Sequence, residues 1–479
     1  MKKIIIEELP RFPLSEIIPL LAERPYFSFL DSGDGVYRSN LGRYSFLAVD
    51  PFLVMKNKGK LTSIVKPKKR KIENKKENPF NALKKILSSM NIGPTPSYLP
   101  PFLGGGIGYL SYDLCHFIEK IPSTTKDDIN IPDLFIAFYD RVLIIDHLLK
   151  KIFLAAILLP GETGPLKKKL EEFKKTLLKP KSSNPLKSRK KSIYKNAGIQ
   201  NLQIKSNFTK YNYLKAVEKA KEYIAAGDIY QVNLSQRLQT ELNIHPFRLY
   251  QRLRTINPAP FAAYLNFGEV IVASSSPERF LKVIGRKVQT RPIKGTRPRG
   301  RNKEEDDRLA KQLLESEKDR AELIMIVDLE RNDLGKVCRY GSVRVKELVK
   351  LEVYPTVFHT VSTVEGELYP GKDRIDLLKA TFPGGSITGA PKIRSMEIID
   401  ELEPTKRSVY TGNLGYFGFN GTMDLNIVIR TFLIKNKKAY FQVGGGIVAD
   451  SEPEKEYQET MDKAKALIQS LYEGEKNEL

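Results

Sequence analysis

The chain has 479 residues, of which 41% are hydrophobic, so its length and composition allow a large buried core in two or three domains. Its formal net charge of +23 would suit a polyanion, but the lysine-rich runs at 56–76 and 166–195 contain few aromatic side chains, which favours solvated loops and no nucleic-acid partner. No apolar stretch reaches the roughly 18 residues of a membrane span, and the N-terminal MKKIIIEELPRF lacks a signal peptide's apolar region, so we expect a cytoplasmic protein that does not enter a membrane.

The first 165 residues contain short apolar segments that favour strands. Glycine and proline separate these segments, which are YSFLAVDPFLVM (44–55), FLGGGIGYLSYDL (102–114), LFIAFYDRVLIIDH (134–147) and KIFLAAILL (151–159). The basic run that follows mixes proline, serine and asparagine with dense charge, which predicts a boundary. We therefore divide the chain into an N-terminal region at 1–165, a basic linker at 166–205 and a C-terminal domain at 206–470.

Segments of both helical and strand period follow this linker. NYLKAVEKAKEYIAAG (212–227) predicts an amphipathic helix that ends at a glycine. VIVASSSPERFLKVIGRKVQTRP (270–292) predicts a strand, a turn and a hairpin around Gly285. Because strands and helices do not alternate regularly, the expected fold class is α+β and not a Rossmann or barrel fold.

The predicted hairpin carries the first candidate pair. Glu278 follows a proline turn into one strand and Lys294 lies on the returning arm, so both side chains can reach the same end of a sheet. Like charge from Arg291, Arg297 and Arg299 would lower the pKa of Lys294, and burial would lower it further. An amine tuned in this way is a nucleophile near neutral pH, although an ordinary surface lysine is the alternative.

A second candidate carboxylate, Glu322, precedes the apolar run LIMIV in RAELIMIVDLERNDLG (320–335). In a buried helix it would lie at the rim and would need a partner. A cation shared with Glu459 is one solution. An ion pair with Arg320 or Arg331 is the other.

The glycines of VGGGIVADSEPEKEYQET lie between a predicted strand and a predicted helix. No GKS or GKT follows them and no GxGxxG opens a helix, so nucleotide binding is not supported. Their bare amides can instead hold the carboxylate of a small anionic ligand.

The last predicted helix places Glu456, Glu459 and Lys463 on one narrow stripe beside an apolar face. Two carboxylates one turn apart require a divalent cation or a lysine between them, and a solvated face with a Glu459–Lys463 pair satisfies the same pattern. The two cysteines and four histidines form neither CxxC nor HExxH. Any metal is therefore expected to be a hard cation held by carboxylates.

Together these segments resemble the chorismate-utilising enzymes, a family that includes anthranilate synthase component I, aminodeoxychorismate synthase component I and the isochorismate and salicylate synthases. The motifs that carry the resemblance occur in order through about 206–470, and FLDSGDGVYRSNLGRYSFLAVDP (29–51) resembles the amino-terminal half. They are GDIYQVNLSQR (227–237), SPERF (276–280), RPIKGTRPRG (291–300), ELIMIVDLERNDLG (322–335), HTVSTVEG (359–366), FPGGSITGAPK (382–392), YTGNLGYF (410–417), IVIRT (427–431) and VGGGIVADSEPEKEYQETMDKAKAL (443–467). The resemblance implies two facing antiparallel sheets covered by helices, with an anthranilate synthase component I-like region at 1–165 and a chorismate-binding catalytic domain at 206–470.

The resemblance also implies a role for each matching residue. Glu322 and Glu459, with Glu456 nearby, would hold Mg²⁺. Glu278 would be the general acid for the departing hydroxyl of chorismate, and Lys294 would be the nucleophile. The substrate-binding set would consist of His359, Thr388, Tyr410, Arg430, Lys463 and the amides of Gly444, Gly445 and Gly446.

Two positions within the resemblance indicate the chemistry. Isochorismate and salicylate synthases carry a water-activating lysine where this chain has Gln231, and anthranilate synthases usually have PIAGT where this chain has PIKGT. PIKGT is typical of aminodeoxychorismate synthases, which aminate chorismate at C4. Because the sequence lacks a GxCxG nucleophile turn, ammonia is expected from a separate glutamine amidotransferase. Anthranilate synthesis is the alternative, since LDSG and GRYSF lie where that enzyme's tryptophan-binding regulatory site would be.

Overall fold

The strands of the computed structural model, which describes residues 3–9, 12–32, 40–178, 202–354 and 357–472, lie in two large antiparallel sheets. The first sheet contains, in spatial order, β1 (Ile4–Leu9), β10 (Lys151–Ile157), β9 (Arg141–Asp146), β3 (Tyr44–Ala48), β2 (Phe27–Asp31), β13 (Phe261–Asn266), β14 (Ile271–Ser276), β23 (Thr431–Lys435), β24 (Lys438–Ile447), β12 (Gln231–Glu241) and β11 (Lys205–Ser206), with β20 (Gly389–Ala390) also paired to β12. The second contains β17 (Ile293–Pro298), β19 (Val357–Glu367), β16 (Lys287–Arg291), β15 (Arg279–Ile284), β22 (Met423–Ile427), β21 (Asn413–Gly418), β7 (Gly105–Leu110), β8 (Leu134–Tyr139), β4 (Leu53–Lys58), β5 (Leu61–Lys66) and β6 (Lys71–Lys76), with β18 (Arg344–Val353) also paired to β19.

Helices pack around these sheets, which confirms the expected α+β class. They are α1 (Leu14–Ala22), α2 (Pro79–Ser89), α3 (Leu166–Leu178), α4 (Lys210–Ala225), α5 (Pro246–Ile256), α6 (Lys303–Leu314), α7 (Glu317–Gly335), α8 (Arg374–Thr381), α9 (Lys392–Leu402) and α10 (Pro453–Leu471). Of the helices in the described ranges, none is both long and apolar enough to cross a membrane.

Alternate residues of the first sheet face two different cores, as the period of a strand requires. Leu265 and Val272 belong to the core that the two sheets share. Their neighbours Tyr264 and Ala273 face the other way, toward α5 and α10, and the ring of Phe247 lies 5.0 Å from that of Tyr264. The first sheet is therefore buried on both faces.

Both sheets combine strands from either side of the predicted linker. In the first sheet β2 pairs with β13, and in the second β7 pairs with β21. The beginning of the linker is α3, whose Leu170, Phe173 and Leu177 are buried, while 179–201 lie outside the described residues. The N-terminal and C-terminal regions thus share each sheet.

The chain crosses from one sheet to the other inside segments that look continuous in sequence. The segment 44–55 forms β3 in the first sheet and β4 in the second, and 134–147 forms β8 and β9 in the same divided way. Two further crossings, between β14 and β15 and between β22 and β23, contain Glu278 and Arg430. They lie side by side, because the Ile427 amide donates to the Glu278 carbonyl at 3.0 Å.

The basic run at 56–76 is not the solvated loop expected from its composition. It completes β4 and forms β5 and β6 at an edge of the second sheet, where most of the lysine side chains are exposed. Lysines on an edge strand discourage pairing with another chain, so this charge has a structural use.

Candidate active site

Three glycines at the end of β24 form the floor of the candidate site. Gly444–Gly446 pair with β12, and they lie inside the strand, not between a strand and a helix as the sequence suggested. A Cβ on Gly444 would lie 3.0 Å from the Tyr410 hydroxyl, and one on Gly446 would lie 2.0 Å from Nε2 of Gln231. The missing side chains therefore let polar groups reach the strand.

Two carboxylates from α10 meet above the middle glycine. A Cβ on Gly445 would lie 3.2 Å from Oε2 of Glu456 and 3.5 Å from Oε1 of Glu459. The hydroxyl of Ser451 donates to Oε1 of Glu456 at 2.6 Å, whereas the buried Oε2 has no partner in the described part of the chain. Burial raises the pKa of Glu456, and the charge of Glu459 adds to this rise.

Lys463 lies one turn further along the same face of α10. Its Nζ donates to Oε1 of Glu459 at 2.5 Å and to the carbonyl of Gly444 at 3.0 Å. Burial opposes ionisation of Glu459, but Lys463 outweighs burial and the pKa of Glu459 is lowered. The stripe of Glu456, Glu459 and Lys463 therefore contains the predicted Glu459–Lys463 ion pair, but it faces the glycine floor and not only solvent.

Lys294 reaches this site from β17. Its side chain is only 13% exposed, and its Nζ lies 3.8 Å from Oε2 of Glu322 on α7. Burial lowers the pKa of Lys294, Glu322 partly offsets this, and the nearby Lys463 lowers it again. The surface-lysine alternative is therefore wrong.

Of the two expected causes of that lowered pKa, burial is confirmed and like charge from the flanking arginines is wrong. The flanking arginines carry their own counter-charges, because Arg291 pairs with Glu352, Arg297 with Asp319 and Arg299 with Asp306. Arg331, offered as a partner for Glu322, pairs with Asp328 instead. Burial, and not these arginines, is the main cause of the lowered pKa of Lys294.

Glu278 lies beside Lys294 at the crossing between the sheets. The residue is 4% exposed, and its Oε1 accepts a hydrogen bond from the amide of Ile293 at 3.4 Å. Burial raises its pKa to about 7, although Ser386 and Lys294 pull it down. Near neutral pH this carboxyl group can therefore both donate and accept a proton.

The remaining predicted substrate-binding side chains line the same region. His359 on β19 is buried, its Nδ1 lies 2.9 Å from the Thr296 hydroxyl, and burial lowers its pKa to about 4, so the ring is neutral. Arg430 donates to the carbonyl of Lys463, which ties the second crossing to α10. The hydroxyl of the fully buried Thr388 donates inward to its own loop, to the carbonyl of Gly384 at 3.0 Å.

The sequence set Gln231 apart from the isochorismate synthases, but it gave neither Gln231 nor Ser386 a role in this site. Both amide atoms of Gln231 are buried without a hydrogen-bond partner among the residues described. The Ser386 side chain is buried near Glu278, whose pKa it lowers. A single sequence does not show these surroundings, because they form only when the strands and loops are brought together.

The carboxylates fit a magnesium ion that is held partly by other ligands. Within the described ranges, no three His, Cys, Asp or Glu side chains could hold an ion by themselves. Mg²⁺ usually binds one or two protein carboxylates and completes its shell with water and substrate oxygens. Glu456 and Glu459 supply such a pair, and the unpartnered Oε2 of Glu456 is an oxygen available to a cation.

A separate cavity of about 430 Å³ is lined by residues of both sheets. Among its polar lining residues are Asp31, Ser32, Arg43, Tyr44, Arg279 and Lys282. None of the candidate catalytic residues lines it, but Arg279 directly follows Glu278.

Comparison with known proteins gives a consistent result across sequence and structure. The profile of the chorismate binding enzymes matches residues 50–469. Aminodeoxychorismate synthase component 1 of Bacillus subtilis is 40% identical, over 96% of this chain and 94% of its own length, and anthranilate synthase component 1 of Thermus thermophilus is 41% identical, over 94% and 93%. The crystal structure of anthranilate synthase component I from Streptococcus pneumoniae superposes with a TM-score of 0.77 at 34% identity, covering 90% of this chain and 93% of that one.

The buried carboxyl of Glu278 predicts a pH-dependent stability difference. Its pKa is about 7 in the folded protein against 4.5 as the ordinary value, so the stabilisation it gives is full below about pH 4.5 and is lost as the pH rises through 7. Glu278→Gln cannot ionise. Its free energy of unfolding relative to the wild type should therefore rise by up to about 3 kcal/mol between about pH 5 and about pH 8.

Denaturant titrations of both proteins across this pH range measure the difference. Glu172→Gln, at an exposed position on α3, controls for the loss of one carboxylate. A difference that stays constant with pH would mean that Glu278 ionises normally in the folded protein.

Proposed function

Because this chain belongs to the chorismate-binding enzyme family, we propose that it is the large subunit of an aminodeoxychorismate synthase, which replaces the C4 hydroxyl of chorismate with an amino group. Relatives with this activity and relatives named anthranilate synthase are equally similar to the chain, at 40% and 41% identity. Overall similarity therefore does not select the reaction. The observation that carries the proposal is the buried amine of Lys294 beside Glu278 and Glu322.

In this proposal the cationic side of the site binds the two carboxylates of chorismate. Arg430, Lys463 and the Tyr410 hydroxyl surround the bare strand at Gly444–Gly446, and they supply donors that a small dianion requires. His359 is neutral, so it can contact the ring without adding charge. Glu459 and Glu456, with Glu322 across the site, would hold Mg²⁺, which when bound neutralises and orients a substrate carboxylate.

The chemistry then needs one acid and one nucleophile. Glu278 donates its proton to the C4 oxygen, which leaves as water, while the neutral amine of Lys294 forms a bond to C2 and both ring double bonds shift. The adduct nitrogen returns a proton to the Glu278 carboxylate. Ammonia next bonds to C4, both double bonds shift back, and the C2–N bond to Lys294 breaks as Glu278 donates its proton to the departing amine. The Glu278 carboxylate then takes a proton from the new C4 ammonium group, so chorismate and ammonia give 4-amino-4-deoxychorismate and water.

We propose that ammonia reaches the site from a partner glutamine amidotransferase, as the missing GxCxG turn suggests. Ammonium salts should then replace the partner in vitro. In the cytoplasm the product would lead, through a separate lyase, to p-aminobenzoate and folate.

Anthranilate synthase component I is the second candidate function. Its support is the equal similarity of those relatives and the separate cavity lined by Asp31, Ser32 and Tyr44, where the resemblance puts a tryptophan-binding site. In that enzyme ammonia enters C2 directly and Lys294 would have no covalent role.

The product of the wild-type protein distinguishes the two candidates. Incubation with chorismate, Mg²⁺ and an ammonium salt should give 4-amino-4-deoxychorismate, which added 4-amino-4-deoxychorismate lyase converts to p-aminobenzoate. Chromatography with fluorescence detection measures both products. Fluorescent anthranilate as the main product would assign the second candidate.

Lys294→Ala should abolish the proposed reaction, since the variant lacks the nucleophile that moves the reacting centre from C4 to C2. We expect the rate to fall by roughly 10³-fold or more, mainly in kcat. Lys282→Ala is the matched control, because burial lowers the pKa of Lys282 too, but its side chain lines the separate cavity. Mass spectrometry of wild type mixed with chorismate without ammonia should show an adduct on the peptide that contains Lys294.

Two outcomes would contradict the covalent role of Lys294. One is synthesis of 4-amino-4-deoxychorismate by the alanine variant at a near wild-type rate. The other is an unmodified Lys294 peptide in a wild-type sample that turns over normally when ammonium is added.

Glu322→Gln and Glu459→Gln should each remove Mg²⁺-dependent activity, because an amide keeps the shape of the carboxylate but not its charge. A second readout is the rise in the unfolding temperature when Mg²⁺ and chorismate are added together, which both variants should lose. Glu454→Gln, on the exposed face of α10, should keep both properties. Full turnover by either variant at moderate Mg²⁺ would exclude these carboxylates as ligands.

A further inference from the structure

Arg407 and Glu403 form a deeply buried ion pair behind the candidate site. Their side chains are 2% and 1% exposed. Nε of Arg407 donates to one carboxylate oxygen of Glu403 at 3.0 Å, and a terminal nitrogen donates to the other at 2.7 Å. This two-point contact fixes the plane of the guanidinium group.

The other polar atoms of the pair bind backbone that forms the site. Arg407 donates to the carbonyl of Ile387 at 2.9 Å and to that of Asn233 at 2.7 Å. Ile387 precedes Thr388 in the loop, and Asn233 lies opposite Gly446 across the strand pair. One side chain therefore holds both the loop and the strand that supports the glycine floor.

Glu403 continues the same framework on its other side. Its Oε1 accepts hydrogen bonds from the amide of Ser235 at 2.9 Å and from the Ser235 hydroxyl at 2.6 Å. Ser235 pairs with Gly444, the glycine beneath the Tyr410 hydroxyl. The pair thus spans both ends of the bare strand.

The guanidinium group of Arg407 also contacts the Tyr410 ring, with 5.8 Å between its central carbon and the ring centroid. The Tyr112 ring centroid lies 4.9 Å from the same carbon. The position of the Tyr410 hydroxyl is consequently set by a ring held against a fixed cation.

A buried ion pair is a poor way to gain stability, because removing both charges from water offsets much of their attraction. A planar guanidinium group is instead well suited to holding several carbonyl groups at fixed angles. Lys392 does the same at the other end of the loop, where it pairs with Asp333 and donates to the carbonyls of Thr381 and Pro383 at 2.9 Å each. Two buried cations therefore hold the loop that carries Ser386 and Thr388, one at its start and one at Ile387.

We propose that Arg407, oriented by Glu403, is a positioning residue that sets chorismate affinity by fixing Tyr410, the Thr388 loop and the glycine floor. This inference rests on the proposed function only for the identity of the substrate. Arg407 touches no reacting atom. Its loss should therefore raise the KM for chorismate more than it lowers kcat.

The test compares Arg407→Lys with Arg374→Lys. Arg374 is also buried and donates to two carbonyls, those of Gly418 and Thr422, at 2.6 Å each, but it lies outside the site. Both variants should unfold at a lower temperature than the wild type. Only Arg407→Lys should raise the KM for chorismate, by about 10-fold to 100-fold, because small misplacements of binding groups have effects of this size.

A double-mutant cycle with Tyr410→Phe shows whether Arg407 acts through Tyr410. If it does, the fold-increase in KM for chorismate in the combined variant should be well below the product of the fold-increases in the two single variants. Fully multiplicative effects, or an unchanged KM in Arg407→Lys, would overturn the proposal. If Arg407→Lys does not fold, Glu403→Gln keeps the shape of the partner and should shift the KM in the same direction.

Chorismate depletion, followed by absorbance, serves as the readout whatever the product is. If the wild-type protein makes anthranilate, the proposed function is wrong, but the comparison of the Arg407 and Arg374 variants is still valid. If the wild type and Arg407→Lys have equal KM values for chorismate, the positioning role of Arg407 is wrong and the proposed function is unaffected.

Discussion

Lys294 and Glu322 meet where little water reaches their charges, and much of the site depends on this contact. Their charged atoms are 3.8 Å apart, which is beyond a hydrogen bond but close for an ion pair with little solvent around it. Burial favours the neutral amine and Glu322 favours the ammonium ion. In the proposed function Glu322 would help to hold a cation, which would supply positive charge to the site, and Lys294 would act as the nucleophile.

The two sheets bring these groups together because the chain passes between them at the site. Glu278 and Arg430 lie in neighbouring crossings, Lys294 comes from the second sheet, and the glycine floor comes from the first. A crossing interrupts regular pairing, so side chains there can point into the space between layers. The site is therefore built where the sheets are joined and not on a surface loop.

Local patterns in the sequence predicted the parts of this arrangement that depend on short spacing. The stripe of Glu456, Glu459 and Lys463 follows from helical period. Glu278 and Lys294 do meet, but not across the predicted hairpin, because its returning arm ends at Arg291 and Lys294 lies on β17, which pairs with β19. These local patterns did not predict strand pairing or contacts between residues that are distant in sequence. An apolar run such as 44–55 does not reveal that its two ends enter different sheets, and no spacing rule connects Glu322 on α7 with Lys294 on β17. The burial of the Gln231 amide and the contact of Arg407 with the Asn233 carbonyl also depend on long-range packing.

Because the chain is about equally similar to two kinds of synthase, overall similarity does not select the reaction, and in the proposed function a few side chains set it. The buried framework behind the site, including the Arg407–Glu403 pair, binds loop and strand backbone. It therefore does not determine which ring carbon would accept ammonia. Lys294 differs, because it adds a buried amine that interacts with both Glu322 and Glu278. In the proposed function, an alanine in its place would leave the acid at Glu278 and the anion sites intact but would remove the group that bonds to C2 first. On that proposal, one buried amine changes the reaction while the rest of the site is retained.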